Sequence, residues 1–380
     1  MSRFEQIFVL TVVVGLLLTP NLARLFGVHA EAFENRTLAE APEWNLRHAL
    51  DERTYDRLAT YLDETLPLRR EAVDRNAELA VDVFHDSPTP RAHLGEGHWL
   101  YFDDALREAC QDDTPIEDLL GSLRELSGIV RASGRRFLFV LVPNKYTVHP
   151  EGATHRVREI ARCGVEKKRR LDEALARRPV EGLRDLTPEL RELHERTHQL
   201  TFFVDDSHLD GLGSSVLART IVDFVRPGFW DQDALLGPRP VRRKGDLCRM
   251  VRVRAPVMSR WYGVRRPAVK ALPVELEDRT EGHPLRVYRS TSSSSELLDD
   301  RVFLLHDSSM NIARGMLRYY FEEFTTLDWN SFDPQDVADQ MKAAEVVVVE
   351  LVERGFYHRT HEQIGSREFL DILRRTLGVD

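Results

Sequence analysis

The chain has 380 residues, 42% of them hydrophobic and 30% charged, and carries a formal net charge of −9. This composition belongs to a globular protein with chain enough for one large domain plus appendages, and excludes a disordered one. The acidic balance excludes a nucleic-acid partner, because no surplus of cations is present to neutralise a phosphate backbone. The short basic runs Lys167–Arg170 and Arg242–Lys244 read as solvated surface.

In chain order, the first element is an apolar run from Ile7 to Leu18, interrupted only by Thr11 and Gly15, with Arg3 before it and Pro20 after it. So short a run suits a signal-peptide core better than a full span of about 20 residues. It can be extended through Leu22 to Phe26, and Val28-His29-Ala30 is an imperfect small-x-small cleavage site. A cleaved signal and an uncleaved membrane anchor both stay open for residues 1–30, with the anchor as the working expectation. Either one places the rest of the chain outside the cytoplasm, on the periplasmic or cell-surface face.

Residues 31–80 read as an extracytoplasmic linker leading into helix. Apolar residues recur at helical spacing from Ala49 to Leu79, and Pro67 should break that helix. Gly95 to Leu100 reads as a turn entering a short strand. Thr114-Pro115-Ile116-Glu117 predicts a capping box with proline at the first helical position. The stripe Ile116, Leu119, Leu120, Leu123, Leu126 and Ile129 continues that helix, and Gly134 closes it.

Phe137 to Val142 is an uninterrupted apolar run, the mark of a strand covered on both faces, and it stops at Pro143-Asn144-Lys145. Leu200 to Val204 reads as a second strand, ending in Asp205-Asp206-Ser207-His208 before a helix over about 213–225. Val302 to Leu305 is a third, ending in His306-Asp307-Ser308-Ser309 before a helix through Tyr320. Val346 to Leu351 is a fourth, ending near Glu353-Arg354, and Ser366 to Leu377 closes the chain as a helix. Helix followed by buried strand, repeated, predicts an α/β domain over 81–380 with a mostly parallel sheet. Residues 227–300, rich in Pro, Arg and Ser, read as an irregular insertion with a loose loop at Ser290–Ser295.

Cys110 and Cys163 bracket a helix and a strand and are the candidate disulfide, which leaves Cys248 as the odd thiol. No metal or nucleotide cofactor is expected, since the chain has no zinc-ligand spacing, GxGxxG or Walker motif.

Ligands of open α/β sheets bind beyond the carboxyl ends of the strands. Four apolar runs here end in polar clusters: Asn144/Lys145, Asp206/His208, Asp307/Ser308 and Glu353/Arg354. A serine hydroxyl needs a base to act as a nucleophile, and an imidazole oriented by a carboxylate supplies one. The Asp206-x-His208 spacing puts both side chains on one side of an extended segment. Ser308 stands where strand gives way to helix, so its own amide and the helix start are oxyanion donors, with the Asn144 side chain as another. Each piece also has an ordinary reading: Asp307-Ser308 as a helix cap, Asp206–His208 and Asn144-Lys145 as turns, Glu353/Arg354 as a structural ion pair.

The chain resembles the SGNH-hydrolase-like proteins of polysaccharide acetylation, the alginate O-acetyltransferase (AlgJ/AlgX-like) family. The similar segments are Asp63-Glu64-Thr65-Leu66-Pro67-Leu68-Arg69, Gly95-Glu96-Gly97-His98-Trp99-Leu100-Tyr101, Pro143-Asn144-Lys145, Asp206-Ser207-His208-Leu209 with Gly211 to Gly213, His306-Asp307-Ser308-Ser309, and Glu353-Arg354. They lie in the family's order over roughly 60–355. Leu209 stands in place of the usual Trp, and His306 and Ser309 in place of the usual Gly and Phe; a bulky His306 is expected to crowd the approach to Ser308.

The resemblance implies an SGNH-like three-layer α/β sandwich behind an N-terminal membrane helix. It implies Ser308 as acyl-carrying nucleophile, His208 as base and Asp206 as its orienter, with Asn144, Lys145, Ser309 and Arg354 binding oxyanion or substrate. The implied reaction moves acetyl groups from a membrane-bound O-acyltransferase to hydroxyls of an exported polysaccharide. A carbohydrate esterase with the same triad and a non-catalytic scaffold of an envelope complex remain the alternatives.

Overall fold

The structure is a computed structural model that describes residues 3–26, 51–65, 69–252, 257–277, 284–294 and 296–379. The chain divides into two compact units, Met1–Pro88 and Thr89–Asp380.

In the first unit Arg3–Leu25 is a single helix. Among the described residues no helix is long and apolar enough to cross a membrane, so the expected membrane helix is not supported. The physical reason is length: the apolar run Ile7–Leu18 covers only about 18 Å of helix, against a hydrocarbon core of about 30 Å. The candidate cleavage site Val28-His29-Ala30 and the linker before residue 51 lie outside the described residues. Two separate helices follow, Glu52–Thr65 and Arg69–Glu78; Leu66-Pro67-Leu68, where the break was expected, also lies outside the described residues.

The second unit opens with an antiparallel pair, β1 (Ala92–Leu94) and β2 (Leu100–Phe102). The strands that follow are β3 (Arg136–Val142), β4 (Leu183–Asp185), β5 (Leu235–Arg243), β6 (Val257–Val264), β7 (Val269–Ala271), β8 (Glu275–Glu277), β9 (Leu285–Ser292), β10 (Val302–His306), β11 (Glu323–Asp328) and β12 (Val346–Val352). Eight of them form one mixed sheet in the order β4-β3-β12-β10-β11-β9-β7, with β8 also paired to β9. β4, β3, β12, β10 and β11 are parallel; β9 runs antiparallel to β11.

The uninterrupted apolar runs are explained by helices on both faces. Phe137, Phe139, Leu141, Val347, Val349 and Leu351 pack on one side with residues of helices Ile116–Ala132, Pro334–Ala343 and Arg367–Leu377. Leu138, Val140, Val142, Val346 and Val348 pack on the other with helices Gly211–Val225 and Met310–Leu317. The result is three layers, as expected from strands that cannot face water on either side.

Several local expectations are corrected. Leu200–Val204 is not a strand of the sheet: it makes one isolated bridge, Phe202 to Leu209, and folds back on itself. Two of its carbonyls are taken elsewhere, since Lys145 Nζ donates to the oxygens of Phe203 and Val204, as well as to that of Asp206 beyond it. The parallel strands not read from the sequence are β4, whose three residues are too few to show a pattern, and β11. No capping box forms at Thr114: Pro115 is itself the N-cap, and the Thr114 amide is held by Asp112 Oδ1 at 2.7 Å.

Residues 227–300 contain the antiparallel pair β5–β6 and strands β7 to β9. Ser290, expected in a loose loop, is buried in β9 opposite Ala271 of β7; Ser295 lies outside the described residues. Nor is the run Lys167–Arg170 wholly solvated, because Lys168 is buried and ion-paired with Asp172 and Asp185. Cys110 and Cys163 form the expected disulfide, tying the turn at Glu108–Cys110 to the helix His155–Arg177. Cys248 is a buried thiol.

Candidate active site

Parallel pairing brings the carboxyl ends of β3, β12 and β10 to one edge of the sheet, where α/β folds place their ligands. Ser308 lies in the turn between the last residue of β10, His306, and the helix Met310–Leu317. Asp307 braces that turn: its Oδ1 accepts the Ser309 amide at 2.7 Å and its Oδ2 the Val352 amide at 2.8 Å. The Asp307 amide in turn donates to Glu350 Oε2 at 3.0 Å. Burial and the charge of Asp307 raise the Glu350 carboxyl well above its ordinary range.

The loop from Thr201 to Asp210 delivers the other two groups. His208 Nε2 stands 2.8 Å from Ser308 Oγ, and His208 Nδ1 stands 2.6 Å from Asp206 Oδ1. With Nδ1 carrying the proton toward Asp206, Nε2 has its lone pair directed at the serine hydroxyl. This loop is held from two sides. Lys145, buried at the end of β3, donates to its three carbonyls at 3.2, 3.0 and 2.7 Å. From the other side, the segment after β5 packs so closely that a Cβ on Gly245 would meet the Asp205 carbonyl oxygen at 2.0 Å. Only glycine permits that approach.

Two further side chains complete the Asp206 environment. Arg243 Nη2 donates to Asp206 Oδ2, the oxygen that His208 does not use, and its guanidinium stacks 3.8 Å over the Phe203 ring. The Asp246 amide also donates to that oxygen at 3.2 Å. The Asp246 carboxylate accepts from the Ser207 amide and hydroxyl at 2.8 and 2.5 Å, and its Oδ2 lies 3.5 Å from His208 Nδ1.

The electrostatics follow from this packing. Burial by itself would depress the His208 pKa, but the hydrogen bond and charge of Asp206, with the charge of Asp246, outweigh it and raise it above the ordinary imidazole value. Burial opposes ionisation of Asp206, yet His208, Asp246 and Arg243 together hold it below the usual carboxylate range. Burial brings the Lys145 ammonium down to about 7 against the pull of Asp206, Asp246 and Asp205. Asp246 is raised by burial and by the neighbouring Asp206 charge.

Of the residues singled out in the sequence, Asp206, His208 and Ser308 come together. The others serve different purposes. Asn144 is not aimed at an oxyanion: its Nδ2 donates to the Ala105 carbonyl at 3.0 Å and its amide to Glu353 Oε2 at 2.9 Å. Lys145 braces the loop. The Ser309 amide is committed to Asp307. Arg354 lies over the Phe102 ring at 5.6 Å, and its charge is felt at His208, where it opposes protonation. Glu353 bonds Asn144 and the Thr147 hydroxyl, so it joins the ends of β12 and β3.

His306 does not crowd the serine as expected. It is fully buried, its Nδ1 donates to the Asp307 carbonyl at 2.7 Å, and its Nε2 accepts from Arg314 at 3.2 Å. Leu209 packs into the core cluster beside β3. Arg243 and Asp246 were missed in the sequence: Arg243 sits in a basic run that reads as solvent-facing, and Asp246 stands alone with no spacing to mark it.

Among the described residues, two groups of side chains have the donor set for a cation, Asp206/His208/Asp246 and His149/Glu151/His194. In the first, Arg243 and the Ser207 hydroxyl already occupy carboxylate oxygens.

Comparison with known proteins finds one matching family and several similar proteins. The family described as "SGNH hydrolase-like domain, acetyltransferase AlgX" matches residues 92–300, a stretch that includes Asp206 and His208 and ends before Ser308. The probable alginate O-acetylase AlgJ of Pseudomonas fluorescens is 28% identical over 92 residues, which is 24% of this chain and 23% of that protein. Among solved structures, the O-acetyltransferase domain of Pseudomonas putida AlgJ is similar at 16% identity and a TM-score of 0.44, covering 76% of this chain and 99% of that one. Bacillus cereus PatB1, solved with a sulfonyl adduct, is 12% identical with a TM-score of 0.49, covering 72% and 96%. Pseudomonas aeruginosa AlgX is 13% identical with a TM-score of 0.44, covering 75% and 65%.

Proposed function

The chain belongs to the SGNH hydrolase-like acetyltransferase family of AlgX, and we propose that it transfers acetyl groups to polysaccharide hydroxyls through an acetyl-Ser308 intermediate. The observation that carries this reading is the line of contacts Asp206–His208–Ser308, at 2.6 and 2.8 Å. His208 Nε2 takes the Ser308 proton as Oγ bonds to the acetyl carbonyl carbon of the donor. The resulting imidazolium is stabilised by Asp206 and gives that proton to the donor's departing oxygen or sulfur. A sugar hydroxyl then enters, loses its proton to His208, attacks the acetyl-serine carbonyl, and Ser308 leaves with the proton returned by the imidazolium. The Ser308 amide is the backbone donor expected to meet the oxyanion in both tetrahedral steps, since the amides of Ser309, Met310 and Asn311 already bond Asp307 and the Ser308 carbonyl.

The setting follows from the chemistry. An exported polysaccharide as acceptor and a membrane-bound O-acyltransferase as donor are part of the proposal, as is a location outside the cytoplasm. The net charge of −9 weighs against a strongly anionic acceptor, so alginate is not assumed.

The test is release of chromophore from an aryl acetate by the full chain, compared with Ser308→Ala and His208→Ala. Both substitutions should lower the rate by about three orders of magnitude or more, and added oligosaccharide should divert acetyl from water. Abolition without diversion makes the protein an esterase. A wild-type rate equal to that of both variants removes the acyl-transfer reading.

A further inference from the structure

Away from Ser308, one set of ligand-type side chains joins two separate parts of the second unit. We propose that His149, Glu151 and His194 bind one divalent transition-metal ion of the zinc class.

The distances fit. His149 Nδ1 lies 2.9 Å and His194 Nε2 lies 3.5 Å from the same oxygen, Glu151 Oε1. Two ligand atoms bound at about 2.0–2.1 Å to a tetrahedral ion are about 3.4 Å apart, so the observed spacings fall on either side of that value. All three donor atoms lie within 4.8 Å of one another. The two imidazole rings meet edge to face, with centroids 4.5 Å apart and planes 82° apart, so they do not stack. Two imidazoles and one carboxylate make a donor set suited to zinc, and a tetrahedral ion so held keeps one position for water.

His194 already has the outer contact a ligating histidine needs, since its second ring nitrogen must donate to a fixed acceptor. His194 Nδ1 is 2.8 Å from the Gln199 carbonyl. A carbonyl only accepts, so the proton sits on Nδ1 and the Nε2 lone pair faces Glu151. His149 Nε2 is 3.0 Å from the Thr201 hydroxyl oxygen. In the ion-bound form the His149 proton moves from Nδ1 to Nε2 and is donated to that hydroxyl. The Thr201 amide, 3.2 Å from the same nitrogen, then loses a partner, and that is the cost the ion must offset.

The site has a structural consequence. His149 follows directly on the short helix Lys145–Val148 that carries the loop-bracing Lys145, and His194 lies in the helix Thr187–Thr197. Thr201 begins the loop that delivers Asp206 and His208. An ion here would fasten these three together without touching the reacting atoms.

The experiment is titration of Zn²⁺ into the full chain after chelator treatment, followed by calorimetry and, with Co²⁺, by visible absorption. Wild type and His208→Ala should each take up one equivalent, and Co²⁺ should give the intense bands of a four-coordinate site. His194→Ala and Glu151→Gln should each weaken binding by about 100-fold or more, and Thr201→Val by about 10- to 100-fold, with circular dichroism showing the fold retained. Undiminished binding in both His194→Ala and Glu151→Gln would overturn the proposal. So would loss of binding in His208→Ala alone, which would put the ion at Asp206/His208/Asp246, or failure of wild type to bind at all.

Discussion

Arg243 and Asp206 form an ion pair, Nη2 to Oδ2, on the side of the carboxylate away from His208. Asp206 therefore divides its negative charge between an imidazole and a guanidinium supplied by the last residue of β5. The first prediction rests on that division. Arg243→Met keeps a side chain over Phe203 but removes the positive charge. His208 should then feel the whole of Asp206, its pKa should rise further, and the acid limb of kcat/KM should move to higher pH. Stability should fall by about 3 kcal/mol, the cost of leaving a buried carboxylate without its partner. A pH–rate profile and a denaturant melt read the two effects separately; an acid limb that stays in place would mean Arg243 is only structural.

Lys145 is tested through its geometry. Lys145→Met leaves the carbonyls of Phe203, Val204 and Asp206 without their shared donor while preserving much of the side-chain volume. The loop should relax, and a displacement near 1 Å between base and nucleophile is enough to lower kcat by about 100-fold. The effect should appear in kcat more than in KM, since Lys145 is committed to the loop and not aimed at a substrate. An unchanged kcat would show that the loop holds its position without the lysine.

How much of this was legible follows from which forces shape each segment. β3, β10 and β12 could be read because helices cover both their faces, and only apolar residues tolerate that. The Ser308 turn could be read because it follows such a strand directly. Asp206 and His208 were found for a partly wrong reason: their segment is a loop, and what fixes it is the ammonium of a residue some sixty positions earlier. β9 was hidden because buried Leu285, Val287, Tyr288 and Ser290 alternate only loosely with arginines. Arg243 and Asp246 left no periodic trace, as β5 is largely exposed and its pattern reports solvent. His149, Glu151 and His194 escaped the zinc-spacing search because a fold, not a motif, brings position 194 beside 149 and 151.

Glu350 offers a prediction about stability alone. Its carboxyl is fully buried and its pKa is raised, so the folded state favours the protonated form. The stability this group contributes is complete below its unfolded pKa of about 4.3 and is lost as pH rises toward the folded value. Glu350→Gln retains an oxygen for the Asp307 amide and cannot ionise. The variant should match wild type near pH 4 and gain on it by about 1.4 kcal/mol per pH unit above that, until the folded carboxyl titrates. Melting temperatures of both proteins from pH 4 to 8 measure the divergence; parallel curves would refute it.

Asp246 should act on His208 with the opposite sign to Arg243. Its Oδ2 stands 3.5 Å from Nδ1, near enough for its charge to favour the imidazolium but beyond a good hydrogen bond. Asp246→Asn removes the charge and keeps an oxygen for the Ser207 amide, so the loop should stay in place. His208 should lose part of its upward shift, and the acid limb of kcat/KM should move to lower pH. Because burial and Asp206 raise the pKa of Asp246 itself, the substitution should matter only at pH values where Asp246 is ionised in the wild type, and the two profiles should converge below that. A double variant with Arg243→Met should return the limb toward its original position. If Asp246→Asn instead shifts the limb upward, the neighbouring carboxylate is not part of what sets the base, and Asp206 with Arg243 must account for it alone.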